Sequence, residues 1–395
     1  MLIMVSKPLS NVMPTYGNKN LEFVKGKGCY LYSSQNKKYL DFASGIAVNS
    51  LGHCHPKLVE ALNKQSKQLW HISNLYLIKK QEQFATLLCK KSFADKVFFT
   101  NSGTESIECG IKIIRSYHSY HNTKKTEIIT FDGAFHGRTY GALSAQKNKK
   151  YSYSFGPLLK GFKQIKFNDE KKLKLAINKK TAGIIIEPIQ GEGGIRPANL
   201  SFLKSLRKIC NENGILLFFD EVQCGFGRSG KLFSYEWAKI KPDIMSVAKG
   251  IGSGFPLGGC LSTNKACIAM TKGAHGSTYG GNPLAMSVGL EVLRIISNKK
   301  FLLRVDNIAR YFWKNLKNLE NKSNIISEIR GAGLLLGIKT NISNLDFSEQ
   351  LKKNKLLNVP AADNTVRLAP PLIVSYKEID KSIAIIKKSL RELSK

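Results

Sequence analysis

The sequence of 395 residues contains no apolar run near the ~20 residues that a helix needs to cross a bilayer, so we expect no membrane partner. The first residues, MLIMVSKPLSNVMP, have a short apolar core and no small-residue cleavage pattern, so we expect no signal peptide. None of the eight cysteines forms a CxxC pair. Scattered thiols in a long chain indicate a reducing compartment. We therefore predict a cytoplasmic protein.

Acidic residues are scarce: 28 Asp and Glu stand against 61 Lys and Arg, and the formal net charge is +33. A large positive charge is a common signature of nucleic-acid binding. The lysines, however, occur as scattered pairs such as Lys37–Lys38 and Lys179–Lys180, with no long basic tract interleaved with aromatic residues. We therefore expect a lysine-rich surface and no nucleic-acid partner, with a positive field that attracts anionic substrates.

Complete metal-ligand patterns are also lacking. His53 and His55 lie two residues apart, and His118 and His121 lie three apart. No carboxylate or CxxC pair completes either set at a ligand spacing, so we expect no metal site.

Hydrophobic residues make up 43% of the chain, enough for a large core and more than one domain. From about residue 55 to residue 290, strand-like runs alternate with helical patterns; the runs are KVFFT, EIITFD, GIIIEP, ILLFFD, IMSVAK and GGCLST. This alternation is typical of an α/β fold with a mostly parallel central sheet flanked by helices.

The two ends of the chain have different patterns. Alternating apolar and polar residues at 20–42 predict a small antiparallel unit. From about residue 291 the pattern predicts one long amphipathic helix and then a mixed segment. We predict that residues 1–48 join a smaller α+β domain, that 49–290 form a large domain, and that 291–395 complete the smaller one.

Two apolar runs, GILLFFD and PDIMSVAK, end in the charged residues Asp220 and Lys249, and Gly-rich loops follow both. Ligands of parallel α/β sheets bind beyond the carboxyl ends of the strands. A desolvated lysine there can bond to a carbonyl carbon, and an aspartate can pair with a protonated pyridine nitrogen. The pair is therefore compatible with a pyridoxal phosphate site, and equally with a buried salt bridge.

Three further segments bear on this choice. Asn101–Thr104 supply hydroxyls and backbone N–H groups at the predicted start of a helix, which suits either a bound phosphate or simple capping. In FDGAFHGRT, Phe135 can cover a flat ring or pack in the core, and Arg138 can bind a carboxylate. Ser277 and Thr278 can donate to phosphate or belong to a turn. The helix start, beside the Asp–Lys pair, favours the cofactor site.

The motifs, taken together and in order, resemble those of the class III (ω-) aminotransferases of fold type I, most closely the acetylornithine-specific ones. The resemblance runs from about Pro14 to the C-terminus. It is carried by LDFASGIAVNSLGHCHP, HISNLY, FTNSGTESIE, FDGAFHGRT, IIIEPIQGEGG, FFDEVQCGFGRSG, AKGIGSGFPLGG, HGSTYGGNPLA and RGAGLLLGI. The departures are minor: SIE replaces the usual ANE, and GHCHP has a cysteine at a variable position.

The resemblance implies pyridoxal 5'-phosphate as cofactor, bound by residues 49–290, and a homodimer with shared active sites. Lys249 is similar to the lysine that carries the cofactor, and Asp220 to the catalytic partner of its ring nitrogen. Matching positions imply that Gln223 contacts the ring hydroxyl of the cofactor and that Phe135 stacks on its ring. They imply that the phosphate is bound by Ser102, Gly103 and Thr104, and by Thr278 from the second subunit. They also imply Arg138 and Ser277 for the acylated amino acid, and Glu192 with Arg367 as a gated carboxylate-binding pair.

The implied reaction transfers the δ-amino group of N2-acetyl-L-ornithine to 2-oxoglutarate in arginine biosynthesis, giving N-acetyl-L-glutamate 5-semialdehyde and L-glutamate. Ornithine, succinylornithine, succinyl-diaminopimelate and 4-aminobutyrate remain alternative amino donors. An alternative of another class is a catalytically dead aminotransferase fold that binds nucleic acid. The intact set of Lys249, Asp220 and Gln223 argues against it.

Overall fold

The computed structural model describes residues 11–16, 21–146 and 148–394. The predicted N-terminal part, residues 1–48, therefore lies partly outside the described residues. Within those ranges, no helix is both long enough and apolar enough to cross a membrane.

The strands of the described residues are, in chain order, β1 (Phe23–Lys27), β2 (Tyr30–Ser33), β3 (Lys38–Asp41), β4 (Lys96–Thr100), β5 (Glu127–Phe131), β6 (Phe162–Ile165), β7 (Thr181–Ile186), β8 (Ile189–Gln190), β9 (Arg196–Pro197), β10 (Leu216–Asp220), β11 (Ile244–Val247), β12 (Gly258–Ser262), β13 (Ile326–Ala332), β14 (Leu335–Thr340), β15 (Leu356–Leu357), β16 (Val359–Ala361) and β17 (Thr365–Leu368). The helices are α1 (Ser44–Ala47), α2 (Pro56–Ser66), α3 (Lys79–Lys90), α4 (Gly103–Tyr120), α5 (Tyr140–Gln146), α6 (Lys149–Ser152), α7 (Glu170–Ala176), α8 (Leu200–Asn213), α9 (Tyr235–Ala238), α10 (Pro283–Ile296), α11 (Lys299–Glu320), α12 (Asn344–Lys353) and α13 (Tyr376–Leu393).

A seven-stranded sheet in the order β4-β12-β11-β10-β7-β5-β6 forms the centre of the molecule. Strands β11, β10, β7, β5 and β6 pair in parallel, and β12 is antiparallel to both of its neighbours. The predicted α/β class with a mostly parallel sheet is confirmed. Strand β6 was not predicted, because its sequence FKQI is short and polar, as suits an edge strand that pairs only with β5.

Alternate residues of the buried strand β10 pack on opposite faces of this sheet. Leu217 and Phe219 belong to the main core, which contains residues of α8. Phe218 belongs to a second core that contains residues of α4. A Cβ at Gly110 of α4 would lie 2.2 Å from the Phe218 ring, so this glycine allows the helix to approach the sheet closely. That packing accounts for a glycine inside a helix, where it costs about 1 kcal/mol relative to alanine.

Two further sheets have four strands each, in the orders β1-β2-β3-β15 and β13-β14-β17-β16, and β8 and β9 form a two-stranded sheet. The predicted antiparallel unit is found as β1, β2 and β3 within its described part. The parallel pair β3–β15 joins the N-terminal segment to the C-terminal one, with Leu40 opposite Leu356. The domain boundaries after residues 48 and 290 remain a prediction.

The single long helix predicted from about residue 291 is wrong, because two helices occupy this region. Helix α10 ends at Ile296 and α11 begins at Lys299. The side chain of Asn298 accepts hydrogen bonds from the backbone N–H of Lys300 (2.9 Å) and of Phe301 (3.4 Å). This N-cap starts a new helix and so divides the amphipathic pattern.

The turn α1 is left-handed: its four residues, Ser44–Ala47, have φ angles of 48°, 62°, 65° and 61°. Left-handed backbone costs roughly 1–2 kcal/mol per residue other than glycine. Asp41 supports the turn, since its Oδ1 accepts from Ala43 N (3.0 Å) and Ser44 N (2.9 Å), and its Oδ2 lies 2.7 Å from His53 Nε2. The turn ends just before Val48, which lines the cavity described next.

Candidate active site

A cavity of about 460 Å³ lies where the loops that follow β4, β5, β7, β10 and β11 meet. Its position agrees with the rule that ligands bind beyond the carboxyl ends of parallel strands. Eight of the predicted site residues line it: Ser102, Gly103, Thr104, Phe135, Arg138, Asp220, Gln223 and Lys249. The structure therefore brings together residues that are up to 147 positions apart in the chain.

Lys249 does not end strand β11, which stops at Val247; it begins a short 3₁₀ turn, Lys249–Ile251, with a φ of 48°. Burial and the charge of Arg367 lower the pKa of Lys249 to about 8, although Glu192 and Asp220 act in the opposite direction. A substantial fraction of this amine is therefore neutral near pH 8, as a nucleophilic lysine requires.

Asp220 ends β10 and is buried, with Oδ1 accepting from Val222 N at 3.1 Å. Its Oδ2 lies 2.7 Å from Nδ1 of the buried His136. Burial alone would lower the pKa of His136, but the hydrogen bond and charge of Asp220 raise it above the ordinary value. The sequence reasoning missed His136, although its place between Phe135 and Arg138 was a usable signal.

The start of helix α4 forms one end of the cavity. Ser102 is its N-cap, and the backbone N–H groups of Gly103 and Thr104 stand in the first turn, where no acceptor lies within the helix. A Cβ at Gly103 would lie 2.8 Å from Val222 Cγ1, so only glycine fits without displacing that side chain. Ser102 also caps the helix, because its Oγ accepts from Glu105 N at 3.4 Å. Capping and anion binding are compatible at this turn.

Phe135 and Arg138 share an aromatic neighbour, Tyr151, that the sequence reasoning missed. The Arg138 guanidinium lies 4.1 Å from the centroid of the Tyr151 ring and 5.6 Å from that of Phe135. The Phe135 and Tyr151 rings meet edge to face at 5.5 Å. Arg138 is exposed, and the described residues give it no carboxylate within salt-bridge distance. A guanidinium held in this way is available to an incoming anion.

Glu192 and Arg367 form an ion pair behind the cavity wall. Arg367 is buried, and its Nη1 lies 2.6 Å from Glu192 Oε1 and 2.8 Å from Gln223 Oε1. Burial alone would raise the pKa of Glu192, but the charge and hydrogen bond of Arg367 lower it below the ordinary value. Since Gln223 lines the cavity, this pair is one side chain away from it.

Ser277 and Thr278 lie outside the cavity lining of their own chain. The Ser277 Oγ accepts from Gly280 N (3.0 Å) and lies 3.4 Å from Asn101 Nδ2, beside the start of α4. Thr278 is exposed. Within the single chain, Ser277 therefore lies beside Asn101, which lines the cavity, but neither Ser277 nor Thr278 lines it.

The lining has the chemistry that pyridoxal 5'-phosphate needs. Asp220 can bind a ring nitrogen, the start of α4 can bind a phosphate, and Lys249 is an amine with a lowered pKa. Gly103 begins α4, and a side chain there would collide with Val222. Over the described ranges, no group of three or more His, Cys, Asp or Glu residues is arranged to hold a metal ion.

Comparisons with known proteins agree with this chemistry. The family model "Aminotransferase class-III" matches residues 12–390. The acetylornithine aminotransferase of Agrobacterium fabrum is 49% identical over 382 residues, which cover 96% of each chain. That of Clostridium acetobutylicum is 46% identical over 384 residues, covering 97% of this chain and 99% of the relative.

Solved structures give the same result for the fold. An ornithine aminotransferase from Toxoplasma gondii superposes with a TM-score of 0.92 at 29% identity, covering 96% of this chain and 93% of the other. An N-acetylornithine aminotransferase from Stenotrophomonas maltophilia gives a TM-score of 0.85 at 31% identity, covering 96% and 98%. The resemblance identified from the motifs is confirmed.

Proposed function

The chain belongs to the class III aminotransferases, which depend on pyridoxal 5'-phosphate, and we propose that it transfers the δ-amino group of N2-acetyl-L-ornithine to 2-oxoglutarate. The products are N-acetyl-L-glutamate 5-semialdehyde and L-glutamate, and the step belongs to arginine biosynthesis. The relatives of 45–49% identity that bear the name acetylornithine aminotransferase support this choice of donor.

The observation that carries the proposal is the closed pair of Glu192 and Arg367 beside a cavity in which Arg138 is free. Glutamate has a carboxylate on its reacting carbon, whereas acetylornithine has only hydrogen there. Arg367 can bind the first once released from Glu192, and the paired form tolerates the second because its charge is neutralised. Arg138 can bind the carboxylate of acetylornithine, which is remote from the reacting amine.

The bound cofactor supplies a carbonyl group for the donor amine and a ring that accepts an electron pair. Lys249 Nζ acts as the base that takes a proton from the δ-carbon of acetylornithine. Asp220, buried beside His136, keeps a proton on the ring nitrogen. Ser102, Gly103 and Thr104 bind the phosphate, and Phe135 excludes water from one face of the site.

A donor panel with 2-oxoglutarate as acceptor tests the proposal. The donors are acetylornithine, ornithine, succinylornithine, succinyl-diaminopimelate and 4-aminobutyrate. We expect the highest kcat/KM for acetylornithine. A different donor that exceeds it by about tenfold, equivalent to ~1.4 kcal/mol of transition-state stabilisation, would replace it as the substrate.

We also propose that the protein is a homodimer in which Thr278 serves the site of the second subunit. The loop of Thr278 is held by Asn74, whose Nδ2 donates to Ser277 O (3.1 Å) and Gly280 O (2.8 Å). Large apolar side chains are exposed around Asn74 along the chain, namely Trp70, Leu75, Tyr76 and Leu77. Exposed apolar clusters of this kind mark interaction surfaces.

Mixed dimers of two inactive variants test the shared site. Thr278→Asp would repel a bound phosphate, and Lys249→Ala removes the reactive amine. If Thr278 acts across the interface, a mixed dimer has one intact site, and mixing restores activity. If it acts within its own chain, both sites of the mixed dimer are defective, and no activity returns.

A cytoplasmic location is likewise proposed. All eight cysteines are free thiols in the structure, which suits a reducing compartment. Fractionation of the source cells tests this location. Recovery of the protein outside the cytosolic fraction would contradict it.

A further inference from the structure

Glu187 is a buried carboxylate of the cavity wall that has no role in the chemistry described above. It directly follows β7 and lines the cavity. Its Oε2 accepts from the backbone N–H of Phe135 at 3.0 Å, and its Oε1 accepts from that of Gly191 at 3.3 Å. One side chain therefore joins two loops that are far apart in the chain.

The two loops have different tasks in the proposed reaction. Phe135 belongs to the loop that covers the cofactor pocket, whereas Gly191 immediately precedes the gate residue Glu192. The loop of Gly191 packs directly against Gln223, which lines the cavity: a Cβ at Gly191 would lie only 2.3 Å from Gln223 Nε2. Small shifts of this backbone would therefore change how Glu192 meets Arg367.

We propose that Glu187 is a positioning residue that fixes the Phe135 loop relative to the Glu192 loop and so sets the discrimination between the two amino donors. The part that concerns donors rests on the proposed function. Glu187 acts through the backbone of Phe135 and Gly191 and is assigned no contact with a reacting carbon.

The charges around Glu187 fit this role. Burial and the neighbouring Asp220 raise the pKa of Glu187 to about 8, while His136 and the two backbone N–H groups lower it. Burying a carboxyl group beside another one is unfavourable unless its hydrogen bonds are needed. A glutamine of the same size would keep one carbonyl acceptor and turn an NH₂ group towards the other N–H, which breaks one of the two contacts.

Glu221 provides a matched control for a purely structural role. It is also buried, and its carboxylate accepts from two backbone N–H groups, those of Ser234 (2.6 Å) and Tyr235 (2.9 Å). Burial raises its pKa to about 8 as well. Glu221 does not line the cavity. Replacing it should therefore weaken the fold and leave donor choice unchanged.

The test compares the holoenzymes of Glu187→Gln and Glu221→Gln with wild type. Three properties are measured: kcat and KM for acetylornithine and for glutamate, the visible circular dichroism of the bound cofactor, and Tm. For Glu187→Gln we expect the ratio of the two kcat/KM values to change by at least about fivefold, with an altered dichroism band. For Glu221→Gln we expect a lower Tm with the ratio and the band unchanged.

A Glu187→Gln enzyme whose ratio changes by less than about fivefold, with an unchanged band, would overturn the proposal. Glu187→Asp is the second variant, because it keeps the carboxyl group but is one methylene too short to reach both N–H groups. Failure of both variants to fold would assign Glu187 to the fold alone and would also overturn it. If wild type rejects acetylornithine, the proposed function fails, whereas the dichroism band still tests whether Glu187 positions the Phe135 loop.

Discussion

Arg367 contacts Gln223 directly, with 2.8 Å between Nη1 and Oε1, so the arginine of the proposed gate also holds a residue of the proposed cofactor pocket. The same nitrogen lies 2.6 Å from Glu192 Oε1. Releasing Arg367 towards a substrate carboxylate therefore breaks two hydrogen bonds, one of them charge-assisted on both sides. Gate and pocket are coupled through this single nitrogen.

Gln223→Glu should close the gate more tightly. A carboxylate at this position would face Arg367 with a negative charge, so this hydrogen bond would become charge-assisted on both sides. Glutamate needs Arg367 to be free, so its kcat/KM should fall relative to that of acetylornithine by about tenfold. Half-reaction kinetics with each donor measure the ratio, and a ratio that moves towards glutamate would contradict the coupling.

Glu192→Ala should have the opposite effect. Arg367 would lose its partner, so glutamate should become the better donor and acetylornithine, which faces an unpaired buried cation, the worse one. We expect the ratio of their kcat/KM values to move by about tenfold, or ~1.4 kcal/mol. Asp363→Ala is the control, since Asp363 pairs with Arg330 (2.8 Å) outside the cavity lining. Equal losses for both donors would reduce Glu192 to a turn residue.

Lys249→Ala should fold and bind the cofactor without a covalent bond, but its turnover should fall by roughly a thousandfold or more, because the proposed proton-transfer base is absent. The exposed Lys241 supplies the control substitution, Lys241→Ala, which should leave turnover unchanged. Absorption spectra, thermal unfolding and single-turnover assays give the comparison. A small primary amine added to the variant should restore part of the rate. Substantial transamination without such an amine would refute the assignment.

Arg138→Ala should raise the KM for acetylornithine more than that for N-acetylputrescine, which is the same donor without its carboxylate. Loss of a charge-assisted pair costs about 1.5–3 kcal/mol, roughly tenfold or more in kcat/KM. Tyr151→Leu should give a smaller change in the same direction, since the Tyr151 ring orients the guanidinium. If both donors lose equally, Arg138 has only a structural role.

Glu221→Gln should reduce the pH dependence of stability in the apoprotein. Burial raises the pKa of Glu221 from 4.5 to about 8, so the folded state retains a proton that the unfolded chain releases. The protonated Glu221 carboxyl therefore makes its full contribution to the free energy of unfolding below the pKa of the unfolded chain. This contribution is lost as the pH rises through the folded pKa of about 8. The free energy of unfolding should therefore fall less steeply in the variant between about pH 5.5 and about pH 7.5, by up to ~1.4 kcal/mol per pH unit. Urea unfolding of wild type and variant at these pH values measures the difference. If the free energy of unfolding depends on pH equally in both proteins, the raised pKa of Glu221 is contradicted.

The sequence predicted those parts of the molecule that are local in the chain. Strand patterns located the central sheet, and Asp220 and the start of α4 were recognisable because each follows an apolar run. Lys249 lies two positions beyond the end of its strand rather than at it, because Ala248, between Val247 and Lys249, is extended but outside the strand.

Contacts between distant segments were not predictable from one sequence. His136 meets Asp220 across 84 positions, and Glu187 meets Phe135 across 52. His136 and Glu187 are ordinary polar residues in their own segments of the sequence. Their partners become visible only once the strands are packed side by side. The break between α10 and α11 was missed for the opposite reason, since apolar periodicity continues through a local cap at Asn298.

The left-handed turn at Ser44–Ala47 ties one wall of the cavity to the C-terminal part of the chain. Strand β3 pairs with β15, the backbone N–H of Phe42 donates to Leu357 O (3.0 Å), and the Phe42 carbonyl accepts from Ala369 N (2.7 Å). The turn between Asp41 and Val48 is short, and the Asp41 carboxylate holds its backbone through Ala43 N and Ser44 N. It therefore fixes the position of Val48 relative to these strands. The position of Val48 in the cavity lining is thus set by strands that contribute no side chain to that lining.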